Sequence, residues 1–179
     1  MKKFLLISAF FATFLQLHAQ EGEEKQNDIM ISPIELIAGP ALNVSYERLL
    51  NESSGIGINV ALLFNSDDSI DGVTSQISPY YRMYFGKKYA SGFFIEGFAP
   101  ITMSNDRNYD TYFYSDPYGN SSFEIEDNTT FGLGFGFGGK WIARKNILFE
   151  ASAGIARRFG SGNFDKITGK GMLGIGYRF

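Results

Sequence analysis

The chain contains no cysteine, one histidine, one tryptophan and five prolines in 179 residues. Without cysteine there is no disulfide framework, although an exported protein could form one, and no lipid anchor of the kind attached at a cleavage-site cysteine. The histidine, His18, falls in a segment that reads as a removable signal, so the mature chain has neither an imidazole nor a thiol for proton transfer or nucleophilic attack near neutral pH. Beyond that signal no run approaches the roughly 20 apolar residues that a spanning helix needs. Positive charge is scarce as well. Removing residues 1–19 takes Lys2 and Lys3 from 16 basic side chains and none of the 19 acidic ones, leaving a net charge of −5. That balance offers no basic patch for nucleic acid.

The signal itself is explicit. Lys2 and Lys3 precede the apolar run Phe4 to Leu15, and Leu17-His18-Ala19 places a small residue at the expected cut before Gln20. The polar residues that follow have nothing to bury. The sequence therefore divides into a signal peptide at 1–19, a disordered periplasmic tail at 20–28 and a single β-domain at 29–179. Twenty-one glycines, 16% aromatics and little helical periodicity give that domain its all-β reading.

Eight candidate strands follow the tail, at about 30–38, 41–50, 55–64, 74–86, 92–103, 128–142, 147–158 and 169–179, with bounds good to about 2–4 residues. Successive side chains of a strand point to opposite faces. Ile56, Ile58, Val60, Leu62 and Phe64 thus oppose Gly55, Gly57, Asn59 and Ala61. Ile77, Pro79, Tyr81, Met83 and Phe85 oppose Gln76, Ser78, Tyr80, Arg82 and Tyr84. Phe131, Leu133, Phe135, Phe137 and Trp141 oppose Thr130, Lys140 and the glycines 132, 134, 136 and 138. In the last strand Leu173, Ile175, Tyr177 and Phe179 oppose Lys170, Gly174, Gly176 and Arg178. The first strand alternates poorly. Short turns at 51–54, 86–91 and 143–146 alternate with longer polar loops at 65–73, 104–127 and 160–168, and the connection near Ala38-Gly39-Pro40-Ala41 is unusually tight.

An even strand number, short turns on one side and long loops on the other match an outer-membrane barrel. A soluble barrel of the lipocalin kind would alternate equally well with its apolar face inward. Its water-facing side would normally be dense in Lys and Glu, yet here the polar face is sparse in charge and rich in Gly, Ser and Asn. Bare glycines weaken an exposed strand for no gain. Inside a narrow lumen they make room for Tyr80, Arg82, Phe94 and Phe98. The expected fold is an all-β, eight-stranded antiparallel up-and-down transmembrane β-barrel with a side-chain-filled lumen, in the bacterial outer membrane.

Apolar positions facing lipid leave Glu35, Glu47, Glu96 and Glu150 in the lumen with Arg82, Lys140 and Arg178. Eight strands enclose only enough space for side chains to fill, so these charges must pair. Arg82 is expected within reach of Glu47, Glu96 or Glu150. Inward positions such as Asn59 and Gly134 are expected to tolerate polar change better than Val60 or Leu133 tolerate arginine. A carboxylate-lined path for protons or solutes is the functional alternative to this plug. Enzymatic outer-membrane barrels rely on histidine, and a pure carboxylate mechanism needs paired acids at an open cleft, whereas Glu96 and Glu150 read as buried. No catalytic residue, cofactor or metal ligand is assigned. Asp67, Ser69, Asp71 and Gly72 are spaced like the start of a calcium loop, but the twelfth position is Ser78, inside a strand.

Acidic loops, including Asp67, Asp68, Asp71, Asp106, Asp110 and Asp116, suit loose cation bridging to lipopolysaccharide. In the long loop, Tyr109, Tyr112, Phe113, Tyr114 and Tyr118 stand among Asp, Asn and Ser, a composition of adaptable contact surfaces. Its centre, Asp116-Pro117-Tyr118-Gly119, fits a type I turn. An aromatic girdle at the membrane surface is the alternative reading of the same tyrosines. An extracellular partner of unknown identity is thus one expectation, with outer-membrane lipid as the other contact.

Ser45-Tyr46-Glu47-Arg48, Ser78-Pro79-Tyr80-Tyr81-Arg82, Tyr84-Phe85-Gly86, Gly92-Phe93-Phe94-Ile95-Glu96-Gly97, Gly139-Lys140-Trp141 and Gly176-Tyr177-Arg178-Phe179 resemble the strand motifs of an uncharacterised family of outer-membrane barrels common in Bacteroidetes. The resemblance covers about residues 29–179. It implies an eight-stranded barrel inserted by the barrel-assembly machinery, with Tyr177 and Phe179 as the terminal aromatic signal, and it transfers no active site. By fold analogy alone, it implies a structural role or one in adhesion or envelope defence; the alternative class is a narrow pore for small solutes.

Overall fold

The computed structural model describes residues 25–39, 41–64, 72–107, 125–143, 146–160 and 165–179. The strands are β1 (Asn27–Ile31), β2 (Ala41–Asn51), β3 (Ser54–Leu63), β4 (Gly72–Tyr84), β5 (Gly92–Phe98), β6 (Ile101–Arg107), β7 (Ile125–Ile142), β8 (Ile147–Phe159) and β9 (Ile167–Arg178). A short helix, α1, spans Pro33–Ala38. The signal segment 1–19, the acidic loop at 65–71 and the long-loop tyrosines 109, 112, 114 and 118 lie outside the described residues.

Every neighbouring pair is antiparallel, and β1 pairs with both β2 and β9, so the sheet closes. β5 and β6 are two halves of one stave: both lie between β4 and β7. Nine strand segments thus make an eight-stranded barrel. The break is Pro100, which has no N–H for the ladder. Around it the chain keeps its bonds by detour, with Ala99 N–H donating to Pro79 O (3.0 Å) and Gly132 N–H to Pro100 O (2.8 Å).

The expected first strand, 30–38, is corrected. β1 begins at Asn27, inside the segment assigned to the tail, and stops at Ile31. Pro33 then opens α1 at its first turn, where a missing N–H costs nothing. β2 continues as far as Ala41 opposite Leu63, so it outruns β1. Across the space beyond Ile31, Asn43 Nδ2 donates to Gly171 O (2.8 Å) and Ser32 Oγ to Leu173 O (3.2 Å). Side chains there do the joining that a longer β1 would have done.

The faces divide as the alternation requires. Outward lie Ile56, Ile58, Tyr81, Met83, Leu133, Phe135, Phe137, Leu173, Ile175 and Tyr177, all exposed. Inward lie Tyr80, Arg82, Tyr84, Phe94, Phe98, Lys140 and Glu150, all buried. Polarity is therefore inverted relative to a soluble protein: Phe135 is 69% exposed while Lys140 is fully buried. Among the described residues closure leaves no sheet edge except at the α1 seam, and the outer wall is apolar, which is what a strand-built membrane span demands.

Glycine makes the narrow lumen possible. A Cβ on Gly138 would stand 2.7 Å from Phe94 Cζ and 2.6 Å from Ala151 O; one on Gly154 would stand 2.7 Å from Phe98 Cε1. At the β4–β5 turn Gly92 adopts φ +95°, and its Cα faces Gly86 so closely that neither residue has room for a side chain.

Candidate functional site

The lumen is filled by charge. β4 and β5 put Arg82 directly opposite Glu96, β7 and β8 put Lys140 opposite Glu150, and β1 and β9 put Asp28 opposite Arg178. Cross-strand neighbours of opposite sign attract on any sheet. Inside a closed barrel they also converge on those of the facing wall.

Arg82 stands at the centre. Its Nε donates to Glu96 Oε2 (2.7 Å), Nη1 to Glu150 Oε2 (2.7 Å) and Glu47 Oε2 (3.0 Å), and Nη2 to Glu150 Oε1 (2.7 Å). The guanidinium plane lies against Tyr80 and Phe94, 4.3 and 4.2 Å from their ring centroids. Glu150 is held bidentately, the geometry in which a planar fork outperforms an ammonium. Lys140 Nζ donates to Glu47 Oε2 (2.7 Å) and Asp28 Oδ2 (3.0 Å), joining the Arg82 cluster to β1. Tyr84 donates its hydroxyl to Glu47 Oε1 (2.6 Å). Lys170 Nζ lies 2.7 Å from Glu96 Oε1, over the ring of Tyr80.

Arg178 closes the base. Its Nε and Nη2 grip Asp28 (2.7 and 2.9 Å), while Nη1 and Nη2 donate to the carbonyls of Tyr89 and Ala90 (2.7 and 2.9 Å). The β4–β5 turn is thereby drawn across the end of the barrel, where Leu49, Tyr84, Ala90 and Phe94 form a small apolar cluster.

Toward the long loops the charges give way to amides and hydroxyls. Gln76 Oε1 accepts from Thr102 and Thr168 (3.2 and 3.0 Å), and Asn59 Nδ2 donates to Asn43 Oδ1 (2.6 Å). Arg158 forms an upper tie, donating to Thr130 Oγ1 and Ser104 Oγ (both 2.7 Å) and to Asp165 O (3.1 Å).

The structure brings Glu47, Arg82, Glu96, Lys140, Glu150 and Arg178 together, and it does not bring Glu35. That carboxylate sits on α1, half-buried, accepting from Asn43 Nδ2 (2.9 Å), because the chain leaves the sheet at Ile31. Asp28 takes its place in the network, and Lys170 is added. Four acids, Asp28, Glu47, Glu96 and Glu150, now meet four bases, Arg82, Lys140, Lys170 and Arg178, all buried. Sequence reasoning missed Asp28 because it ends a polar run that resembles a tail. Its signal was parity, since Asp28 and Met30 share the inward face ahead of outward Ile29 and Ile31. Lys170 and Arg158 likewise occupy inward positions of recognisable strands.

Asn59 and Gly134 are tightly packed positions. Asn59 is 2% exposed and bonded on its amide, and a Cβ on Gly134 would stand 2.5 Å from both Ala156 Cβ and Ile155 O. Tyr177 faces outward. Phe179 exchanges two backbone bonds with Asn27 (3.1 and 2.8 Å) and so takes part in closing the barrel.

Closed strands, an apolar exterior and a polar interior of paired charges define a membrane-spanning β-barrel of eight strands. No protein-family model and no curated protein matches the chain. Among solved structures, the N-terminal β-barrel domain of Pseudomonas aeruginosa OprF is similar, with a TM-score of 0.49 and 16% identity over 87% of this chain and 98% of that one.

Proposed function

We propose that this protein is a non-enzymatic barrel of the bacterial outer membrane, exported through its N-terminal signal, whose lumen is a structural plug rather than a passage. The supporting observation is the network of four acids and four bases, in which the cations of Arg82, Lys140 and Lys170 lie 4.2 to 5.3 Å from the ring centroids of Tyr80, Tyr84, Phe94 and Phe98. Ions removed from water are tolerable only when paired and hydrogen-bonded, and a solute crossing here would have to separate them. Its role is then structural or one of surface interaction, with the stretch expected as a loop at 104–127, of which 104–107 and 125–127 belong to β6 and β7, presented to lipopolysaccharide or an extracellular partner. Insertion by the barrel-assembly machinery through the terminal Tyr177 and Phe179 belongs to the same proposal.

The test is electrical. Purified barrel reconstituted into a planar bilayer should give no discrete openings at moderate voltage. Reproducible single-channel steps would overturn the plug and favour a narrow pore for small solutes.

A further inference from the structure

On the outer wall, Leu133, Phe135, Ile155 and Ile167 line a groove of about 370 Å³ between β7, β8 and β9, with Arg157 and Lys166 at its loop end. Register fixes that order: Leu133 is opposite Arg157 and Arg157 opposite Ile167, while Phe135 and Ile155 lie one step further from the loops. Arg157 is anomalous. It occupies an outward position between Ile155 and Phe159, in a wall that is otherwise apolar there, and it is exposed. Neither Arg157 nor Lys166 has an ion pair among the described residues, although Asp165 is next to Lys166 in the chain.

Below the groove the wall is thin. Outward Gly169 pairs with Ile155, and outward Gly171 with Ala153. A Cβ on either glycine would meet nothing nearer than a carbonyl at 3.6 Å. This contrasts with the inward glycines 134, 138 and 154, where the protein itself fills the space. Packing within the protein thus gives no reason for glycine at 169 and 171, which weakens β9. From Arg157 to Ala151 the path runs about 20 Å along the strand.

We propose that this groove is a binding site for a phosphate-bearing lipid of the loop-side leaflet. Arg157 and Lys166 receive the phosphate, and one acyl chain lies over Ile155, Gly169 and Gly171. Arginine offers a planar fork to phosphate oxygens and lysine a mobile charge, and both have aliphatic stems long enough to carry the charge along the apolar wall toward headgroups. The inference rests on the membrane reading above and adds to it a defined place for one lipid.

Native mass spectrometry of the full mature barrel, released from detergent after incubation with diphosphorylated or dephosphorylated lipid A, tests it. Insertion into vesicles is verified first, so failure to insert counts against the membrane reading, whereas failure to retain lipid counts against the site alone. Wild type should retain the phosphorylated probe preferentially. R157Q/K166Q should lower that retention roughly tenfold or more, as expected for two lost charge-assisted contacts. G171V should lower retention of both probes while keeping the folded gel mobility of wild type. If the double variant misfolds, R157Q alone is read by the same measure. Equal retention of the two probes, or wild-type retention by the arginine variant, would overturn the site; displacement by equimolar inorganic phosphate would mark a phosphate site without lipid.

Discussion

Arg82 commits four hydrogen bonds to three carboxylates from three other strands and packs its guanidinium against two rings. Removing one member of a buried ion network leaves the rest without compensation, at a cost of about 3–5 kcal/mol. Arg82→Ala should therefore destabilise the barrel by about that amount in denaturant unfolding from lipid vesicles. Arg82→Ala/Glu150→Gln should cost less than the sum of its single changes, because the partner that was stranded is neutralised. Strict additivity would mean that the two side chains do not interact. Glycine separates in the same way. Gly138→Val drives a side chain into Phe94 and the Ala151 carbonyl, whereas a Cβ added to Gly97, which faces outward, would meet nothing within 4 Å. The first substitution should lower the unfolding midpoint clearly and Gly97→Val should leave it near wild type.

Strands bear their two environments along their whole length. Val60→Arg or Phe137→Arg places a charge against lipid away from the ends of its strand, and should cost about 2–4 kcal/mol in the same unfolding assay. A cost near zero at both positions would reverse the assignment of faces. β1 makes a sharper prediction. Because Asp28 binds Arg178 and Lys140, trimming the N-terminus as far as Lys25 should leave folding intact, while trimming through Asp28 should abolish the compact, heat-modifiable band on gels. The helix α1 has no such tie to the charged cluster; its one described side-chain bond is that of Glu35 with Asn43, so Glu35→Gln should be nearly silent.

Taken whole, the barrel packs a network of four acids and four bases, with Arg158 above it, into a lumen that eight strands make just wide enough to fill. Opening it requires removing bulk and charge together. Arg82→Ala/Glu150→Ala, if it still inserts, should admit water and yield small, flickering conductance, in contrast to the silence expected of wild type. Silence in that variant would show that the aromatic layers of Tyr80, Phe94 and Phe98 alone suffice to seal the lumen.

The alternation of Ile56 to Phe64, Ile77 to Phe85 and Phe131 to Trp141 determined the fold class and which face meets lipid, because a strand's period of two is local and survives any arrangement of neighbours. It also placed Arg82, Lys140 and Arg178 on the inner face. What it could not determine was the company those residues keep. Whether Asp28 or Glu35 enters the lumen depends on where β1 ends, and that follows from the closure of β1 against β9 and from Pro33, which turns the chain into a helix. The break of the fifth stave at Pro100 and the crowding at Gly134 are likewise matters of which backbone lies across the ladder. Local sequence sets the direction of a side chain. Only ring closure brings strands distant in sequence, such as β1, β4, β7 and β8, around one shared space, and the neutrality of the network arises there.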